Sequence, residues 1–517
     1  SLMNEVGNLE LIFDSLMSVL TLKNLVFMSV AIPIGVMAGA LPGFTATMAV
    51  ALMVPFTFTM EPISGLVTIG ALYCATIFGG SFSAILLNTP GTPSSIGTTF
   101  DGYPMAKQGR GEEAIYTATF ASGIGGFIGT FILIAFVIPL AKVSLRFGPP
   151  EYFWTSVFGL TIIASLSSKS LLKGIAGGAM GIMISMIGVA PVGGDVRFNL
   201  GLASFQGGVE LISVLIGFFC LPEVLKMALA PDASYTEVTP DGNGRSAIST
   251  AMRNVFGHMG NTIRSSVIGA IVGILPGAGG NIANLIAYNE TKRVAKNPDS
   301  FGKGNAQGIV ATEASNNAVV EGAMVPLLAL GIPGSPPAAI IYGALLLQGM
   351  TPGPDLFSTG AHITYAFMLS FFVSNILMVL TGLLAGKAIY KTVLKIPTRV
   401  LAPGILLLTI VGSYSIRGNV MDIMVMLMSG VAGFVLRELD FNPAPIVLGL
   451  ILGPIAEKGL VQGLLMGRMV STTAPWMIFF TRPICIALII LSLISALWPL
   501  FRERFEKRIS MNEEVSS

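Results

Sequence analysis

Charge is what this chain has least of. Of its 517 residues only 11% are Asp, Glu, Lys or Arg, against about a quarter in soluble domains. That excludes a surface solvated on all sides. The 29 basic and 27 acidic residues leave a net charge of +2, which points away from a nucleic-acid partner. Histidine is nearly missing: His258 falls in a polar stretch and His362 at the edge of an apolar one, and both read as structural. The three cysteines, Cys74, Cys220 and Cys485, lie scattered in apolar runs without metal or disulfide spacing, and read as small buried residues. No G-x-x-x-x-G-K-[ST] phosphate loop and no H-E-x-x-H pair occurs, which argues against ATP use and zinc hydrolysis. Gly193-Gly194-Asp195 misses the pattern of intramembrane aspartyl proteases by one position. No enzyme and no cofactor is expected. Glu5, Glu10 and Asp14 stand where a cleavable signal peptide would be basic, so none is expected.

What remains is apolar. Hydrophobic residues make up 53% of the chain and the mean hydropathy is +0.79. At roughly 20 apolar residues per span, about ten to twelve transmembrane helices fit. Sixty-one glycines imply close helix packing and broken helices. The expected class is an all-α polytopic membrane protein whose surroundings are the lipid bilayer.

One polar break organises the rest. Asn88-Thr89-Pro90-Gly91-Thr92-Pro93-Ser94-Ser95 follows an apolar run ending Ile85-Leu86-Leu87. Pro90 and Pro93 stop a helix, because each lacks a donor and clashes with the preceding turn. Thr92 then Pro93 reads as a fresh start, with Thr as N-cap and Pro at the first position. The design returns at Gly331 to Ala338, where Gly334, Ser335 and Pro336 stand for Gly91, Thr92 and Pro93. Transporters build midplane sites from such helix–break–helix segments. A second pair of breaks, Leu41-Pro42-Gly43 and Leu275-Pro276-Gly277, is related by an offset of 234, whereas the tips are related by 243.

The extra nine residues fall in the loop before the second tip, which carries Lys292, Arg293, Lys296 and Lys303; its counterpart from Phe56 to Gly65 carries no Lys or Arg. After the tips the bias reverses, with Lys107 and Arg110 in the first half and no Lys or Arg from Ile340 to Phe357. Positive residues favour the cytoplasm, so corresponding loops are expected on opposite sides. The chain therefore reads as two inverted-topology repeats with re-entrant helical hairpins. Residues 1–230 form the first, with its hairpin tip at 88–95; 231–262 is a polar linker. Residues 263–502 form the second, with its tip at 331–338, and 503–517 is a charged cytoplasmic tail.

Each new helix aims free N–H groups and the positive end of its dipole into its break, where a carboxylate gains hydrogen bonds without a lysine. The arriving helix leaves carbonyls suited to a small cation. Asn88, Thr89, Pro90, Gly91, Thr92, Ser94, Ser95, Gly334, Ser335 and Pro336 are thus candidate substrate-binding residues, with kinks in ordinary helices as the plain alternative. The Leu-Pro-Gly breaks set Gly43, Thr45 and Thr47, and Gly277, Gly279, Gly280, Asn281 and Asn284, beside exposed backbone; they complete the substrate or ion site or are packing kinks. Glu313, Ser315, Asn316, Asn317 and Glu321 form the most polar patch in any apolar segment. Intramembrane carboxylates are costly and usually functional, and Glu313 and Asn317, one turn apart, are expected to share a face. The alternative is a water-filled interface or a misplaced span boundary.

The strings G-A-L-P-G-F-T-A-T, L-L-N-T-P-G-T-P-S-S, G-Y-P-M-A-K-Q-G-R-G and L-G-I-P-G-S-P-P-A together resemble the large membrane subunit of the tripartite tricarboxylate transporters, the TctA-like family. The likeness runs over almost the whole chain. It implies a multi-pass carrier of the bacterial inner membrane that imports citrate or a related carboxylate by symport. The implied drive is a sodium or proton gradient, with sodium as the candidate coupling ion in place of any cofactor. It further implies two partners, a periplasmic solute-binding protein and a small four-helix membrane subunit. An elevator motion is implied only by analogy with other hairpin carriers. The alternative is a standalone sodium- or proton-coupled organic-anion carrier that works without a binding protein.

Overall fold

A helix that stays in lipid must satisfy its own backbone, and this chain does so almost throughout. The computed structural model describes residues 9–167, 170–229, 244–277, 279–386, 388, 391 and 398–497. Two units emerge, Ser1–Ser144 with Ile212–Val431, and Leu145–Leu211 with Ala432–Ser517. Neither coincides with a sequence half; each draws chain from both. Among the described residues eight helices are long and apolar enough to cross a membrane, or nine if the bent pair Pro475–Thr481 and Pro483–Leu497 is one span. This is fewer than the ten to twelve expected, because several apolar stretches are short arms of broken helices.

The first helices are α1 (Leu9–Val19), α2 (Leu22–Ala40), α3 (Ala46–Thr57) and α4 (Pro62–Leu87). After a 3-10 turn at Pro93–Ser95 come α5 (Ile96–Met105) and α6 (Gly111–Ser144). Helices α7 (Pro149–Ser167) and α8 (Leu171–Ser185) lie in the smaller unit. The larger unit resumes with α9 (Leu211–Leu229), α10 (Gly244–Phe256), α11 (Met259–Ile274) and α12 (Gly279–Val294). It continues through α13 (Ala306–Leu330), α14 (Pro336–Leu347), α15 (Ala361–Leu384) and α16 (Thr398–Arg417). Helix α17 (Val420–Glu438) crosses the unit boundary and α18 (Pro443–Val470) belongs to the smaller unit.

Two fully buried helices, α4 and α13, form the centre of the larger unit. Glycines let their neighbours approach to backbone contact. A Cβ on Gly39 of α2 would lie 2.0 Å from the Thr76 carbonyl of α4, and one on Gly79 2.3 Å from the Val36 carbonyl. The second half repeats the arrangement: a Cβ on Gly273 of α11 would lie 2.7 Å from the Val319 carbonyl of α13, and one on Gly322 2.4 Å from the Ala270 carbonyl. These positions are related by the offsets of the motifs. The helix after each tip packs on the central helix of the other half, with Gly125 of α6 against Ala314 and Phe367 of α15 against Gly70.

Contacts along these helices show which breaks turn the chain back. Asn24 at the start of α2 accepts from Ser64 at the start of α4 (2.7 Å), while the Thr57 carbonyl ending α3 lies 2.7 Å from a Cβ built on Gly65. Both ends of α2–α3 are therefore together, and Leu41-Pro42-Gly43 is the return. Likewise Asn261 of α11 accepts from Thr291 of α12 (2.7 Å), so Leu275-Pro276-Gly277 is the second return. The expected hairpins at 88–95 and 331–338 are corrected accordingly. Gly80 meets Thr92 and Ser95, but Gly102 meets Ile85, so α5 climbs beside α4 in the same direction. In the second half Gly334 meets Ala323 and α14 runs on to Gln348, close to where α13 ends against Gly353. The proline-rich segments reach back along the helix they leave and then resume its course. Their prolines break the hydrogen-bond ladder without forcing a reversal.

Residues 231–243 of the expected linker and the tail 503–517 lie outside the described residues. Residues 244–256 are helix α10, whose Ala251 and Val255 are buried and whose Asn254 donates to Glu113 of α6 at 3.0 Å. In the smaller unit, Gly181 of α8 and Gly449 of α18 sit on the Ile446 and Gly178 carbonyls, and Arg197 forms a bidentate pair with Glu457 (2.7 and 2.9 Å). Glu151 there pairs with Arg482.

Overpacking a close-packed site costs about 1–3 kcal/mol, so Gly322→Ala is expected to lower the thermal unfolding midpoint of the detergent-solubilised protein clearly. Gly260→Ala, where nothing lies within 4 Å of the added carbon, should leave that midpoint unchanged or raise it. Equal effects of the two would contradict the packing described.

Candidate functional site

The first tip is held by its own backbone. Asn88 ends α4 in the left-handed conformation at φ 53°, and Gly331 ends α13 the same way at φ 71°. Asparagine is among the few residues that tolerate this region. Asn88 is exposed, Thr89 and Pro90 are half-buried, and Thr92, Ser94 and Ser95 are buried. Gly91 has no room for a side chain, since its Cβ would lie 2.0 Å from the Gly39 carbonyl. Thr92 was expected to cap an α-helix through its hydroxyl. Instead that hydroxyl meets Ser94 Oγ at 3.1 Å, while the Thr92 carbonyl accepts from Ser95 N (3.0 Å) and Ser95 Oγ (2.8 Å). The Pro93–Ser95 turn is too tight for the longer capping bond. Ser335 does cap, accepting from Ala338 N at 3.4 Å, with Pro336 at the first helical position. Gly334 packs on Ala323 and Gly273, and its carbonyl accepts from Gly277 N at 3.0 Å.

Helix α12, the return arm of the second half, crosses the first tip. Asn284 Nδ2 donates to the Ser94 carbonyl. A Cβ on Gly280 would lie 2.6 Å from Ser94 Cβ and 2.9 Å from Asn316 Oδ1; one on Gly97 would lie 2.8 Å from Thr312 and 2.9 Å from Asn284 Oδ1. Ser94, Gly280, Asn284 and Asn316 thus meet in one close-packed niche, in which position 280 has room only for glycine. Beside it the Glu313 carboxylate accepts from Thr98 of α5 and from Ser122 of α6 (3.1 Å), and Thr98 also meets Thr312 at 2.9 Å. Asn284 Oδ1 and both amide atoms of Asn316 are buried without a hydrogen-bond partner. Buried polar groups are nearly always paired, so three orphaned atoms in one place make it the candidate site. At the second tip the group from the central helix is Tyr73, whose hydroxyl lies 3.3 Å from Ser335 Oγ. Tyr73 and Asn316 are related by the offset of 243.

Other candidates fall elsewhere. Asn281 is exposed, and Ser315 donates to the Thr312 carbonyl of its own helix. Asn317 donates to Met378 Sδ of α15 at 3.5 Å, so Glu313 and Asn317 do not share a face: one looks to α5 and α6, the other to α15. Thr45 caps α3 by accepting from Met48 N at 3.2 Å, Thr47 is buried, and Gly43 lies beside Met227 with φ 84°. Gly279, at φ 65°, has open space around it.

Gly97, Thr98, Ser122 and Tyr73 were not singled out by sequence, since nothing in their local pattern separates them from packing residues. Asp101 stands in a polar stretch of sequence that reads as a loop. It is buried in α5; its Oδ1 accepts from the backbone N–H groups of Gly302 (2.9 Å), Gly304 (2.9 Å) and Asn305 (2.8 Å), and its Oδ2 from Tyr288 (2.8 Å). Arg110 and Gln108 donate to the carbonyls of Gly304 and Lys303. At the opposite end of the unit Gln348 donates to the Thr57 carbonyl at 3.2 Å. Asp101→Ala should therefore speed hydrogen exchange across 302–305 by at least tenfold, given about 1.5–3 kcal/mol for a hydrogen bond to a charged group. Unchanged exchange there, measured by mass spectrometry, would refute the anchor.

A centre of two buried, interrupted helices flanked by returning arms defines a polytopic all-α membrane protein. Residues 25–448 match the tripartite tricarboxylate transporter TctA family, and the chain belongs to that family, the large membrane subunits of such transporters. It is 35% identical over 98% of its length to the uncharacterized 52.8 kDa protein in the TAR-I ttuC' 3' region of Agrobacterium vitis, covering 99% of that relative. A shorter relative from the TAR-II ttuC' 3' region of the same organism is 36% identical over 46% of this chain and 97% of its own. No solved structure matches.

Proposed function

We propose that this chain is the carrier subunit that takes a citrate-like tricarboxylate or related carboxylate across a bacterial inner membrane, driven by an ion gradient. It receives its substrate from a periplasmic binding protein and works with a small four-helix subunit. The observation that carries the reading is the niche at the first tip. Donors left over from Asn316, beside the start of α5, suit an anion, and they do so without a lysine or arginine. Glu313 lies close by, and two carboxylates brought together repel. A co-bound cation relieves that repulsion, which gives a physical reason for ion coupling.

The inverted topology is supported by which loops meet. Segments 107–110 and 303–304, basic and drawn from different halves, bond to each other at one end. Thr57 and Gln348, from the stretches without Lys or Arg, meet at the other. Since positive residues favour the cytoplasm, the first end is cytoplasmic. The second, with 57–65 and 348–357, is the face on which a binding protein docks; residues 340–347, read as loop, are helix, buried through Leu345.

Losing a hydrogen bond to a charged ligand costs about 1.5–3 kcal/mol, or roughly tenfold or more in affinity. Thr92→Ala, Ser335→Ala and Asn316→Ala should each weaken carboxylate uptake by that factor, whereas Thr92→Ser and Ser335→Thr keep the hydroxyl and are tolerated. Gly280→Leu should abolish uptake with the protein still in the membrane. The assay is initial uptake against substrate concentration in proteoliposomes holding both membrane subunits, with and without the binding protein. Wild-type kinetics in the alanine variants would move the site elsewhere, and full uptake without the binding protein would favour a standalone carrier.

A further inference from the structure

A second buried carboxylate lies two turns along α13 from Glu313 and belongs to a different cluster. Glu321 is fully buried. Its Oε1 accepts from Asn375 Nδ2 of α15 at 3.0 Å and from the Cys74 thiol of α4 at 3.8 Å. Its Oε2 has no hydrogen-bond partner, and nor has Asn375 Oδ1. The orientation of the Asn375 amide is set by its second bond, Nδ2 to the Phe371 carbonyl at 2.8 Å, which turns Oδ1 toward Gly126 of α6. Gly129 of α6 lies so close that a Cβ there would be 2.9 Å from Oε2.

The groups facing Glu321 are few. Helix α4 presents Cys74 and, next to it, Tyr73; α15 presents Asn375; α6 presents glycine backbone. No lysine, arginine or histidine pairs with it among the described residues. An ionised carboxylate, fully buried with one oxygen unpartnered and no counter-charge, is strongly unfavourable, so this group requires a cation. Oε2 and Asn375 Oδ1 are unpartnered here, and a single proton on Oε2 suffices to neutralise the carboxylate.

Asn375, itself buried, stands between the carboxyl and a groove with apolar walls. It is the one polar residue lining this open groove of about 560 Å³, whose walls include Phe120, Ile124, Phe127, Phe256 and Val379. The carboxyl lies directly behind that amide.

The geometry points to Glu321 as a proton-carrying site, with Asn375 as the residue that positions its carboxyl. A proton delivered by water bonds to Oε2 and converts the carboxylate to the neutral acid, and on release it returns to water and the carboxylate re-forms. The site is separate from the anion niche, and its use as the coupling proton rests on the carrier reading above.

The test uses the full chain in lipid membranes, without substrate. Infrared difference spectra across a pH step should contain a protonated-carboxyl C=O band that disappears as pH rises, is missing in Glu321→Gln, and changes its midpoint in Asn375→Ala. In proteoliposomes Glu321→Gln, a permanently neutral isostere, should retain substrate counterflow yet lose at least tenfold of the uptake driven by a pH gradient. The same carboxyl band in Glu321→Gln as in wild type would overturn the proposal. So would a wild-type band that follows sodium at fixed pH and ignores pH. If no carboxylate is taken up at all, the carrier reading fails while the spectroscopic result still decides the site.

Discussion

A broken helix inside a bilayer leaves N–H and C=O groups that lipid cannot satisfy, so the break is stable only where protein surrounds it. That constraint governs the larger unit. The breaks after α4 and α13 are lined by backbone from other segments: Gly91 lies on the Gly39 carbonyl, and Gly334 accepts from Gly277. Gly39, Gly91 and Gly334 have no room for a side chain, since an added carbon would lie 2.0, 2.0 and 3.0 Å from a backbone atom. The glycine content is therefore concentrated in purpose: it lets α2 and α11 reach the breaks and cover them.

The same covering creates the site. Once α12 lies over the first tip, Asn284 bonds Ser94, and Asn316 is left facing Gly280 with its amide unspent. Polar groups are thus brought to the centre of an apolar unit by the requirement to wrap a break. Glu313, bonded through hydroxyls of α5 and α6, ties the following helices to the same point. Asp101 does comparable work at one end, where a single carboxylate organises three backbone donors of the 302–305 loop and Tyr288 of α12. Tip, arm and loop are consequently coupled, and movement of α12 away from α5 would have to break both the Asn284 and the Tyr288 contacts.

The two carboxylates of α13 differ in their surroundings more than in their depth. Both oxygens of Glu313 are partnered, whereas Glu321 keeps one free. The difference arises because α6 meets Glu313 with Ser122 but passes Glu321 with Gly129. A serine and a glycine about two turns apart on one helix assign the neighbouring acids unlike chemistry.

The sequence by itself determined the class and the motifs. Low charge and long apolar runs require lipid, paired prolines require helix breaks, and matched glycines at two offsets reveal a recurring pattern; all are local or compositional signals. It also marked where the two long helices break, and there Asn88 and Gly331 take the same left-handed turn. It could not show which break reverses the chain, since a proline says that the ladder stops and not where the next helix goes. Only the packing of Gly102 on Ile85 and of Thr57 on Gly65 decided that α5 runs on and α3 turns back. Nor could spacing along α13 separate Glu313, Asn316 and Asn317: residues within one turn met different helices, and which helix lies opposite is settled by contacts hundreds of residues apart. Asp101 looked like a loop charge, and its role appears only when the loop it holds folds over it.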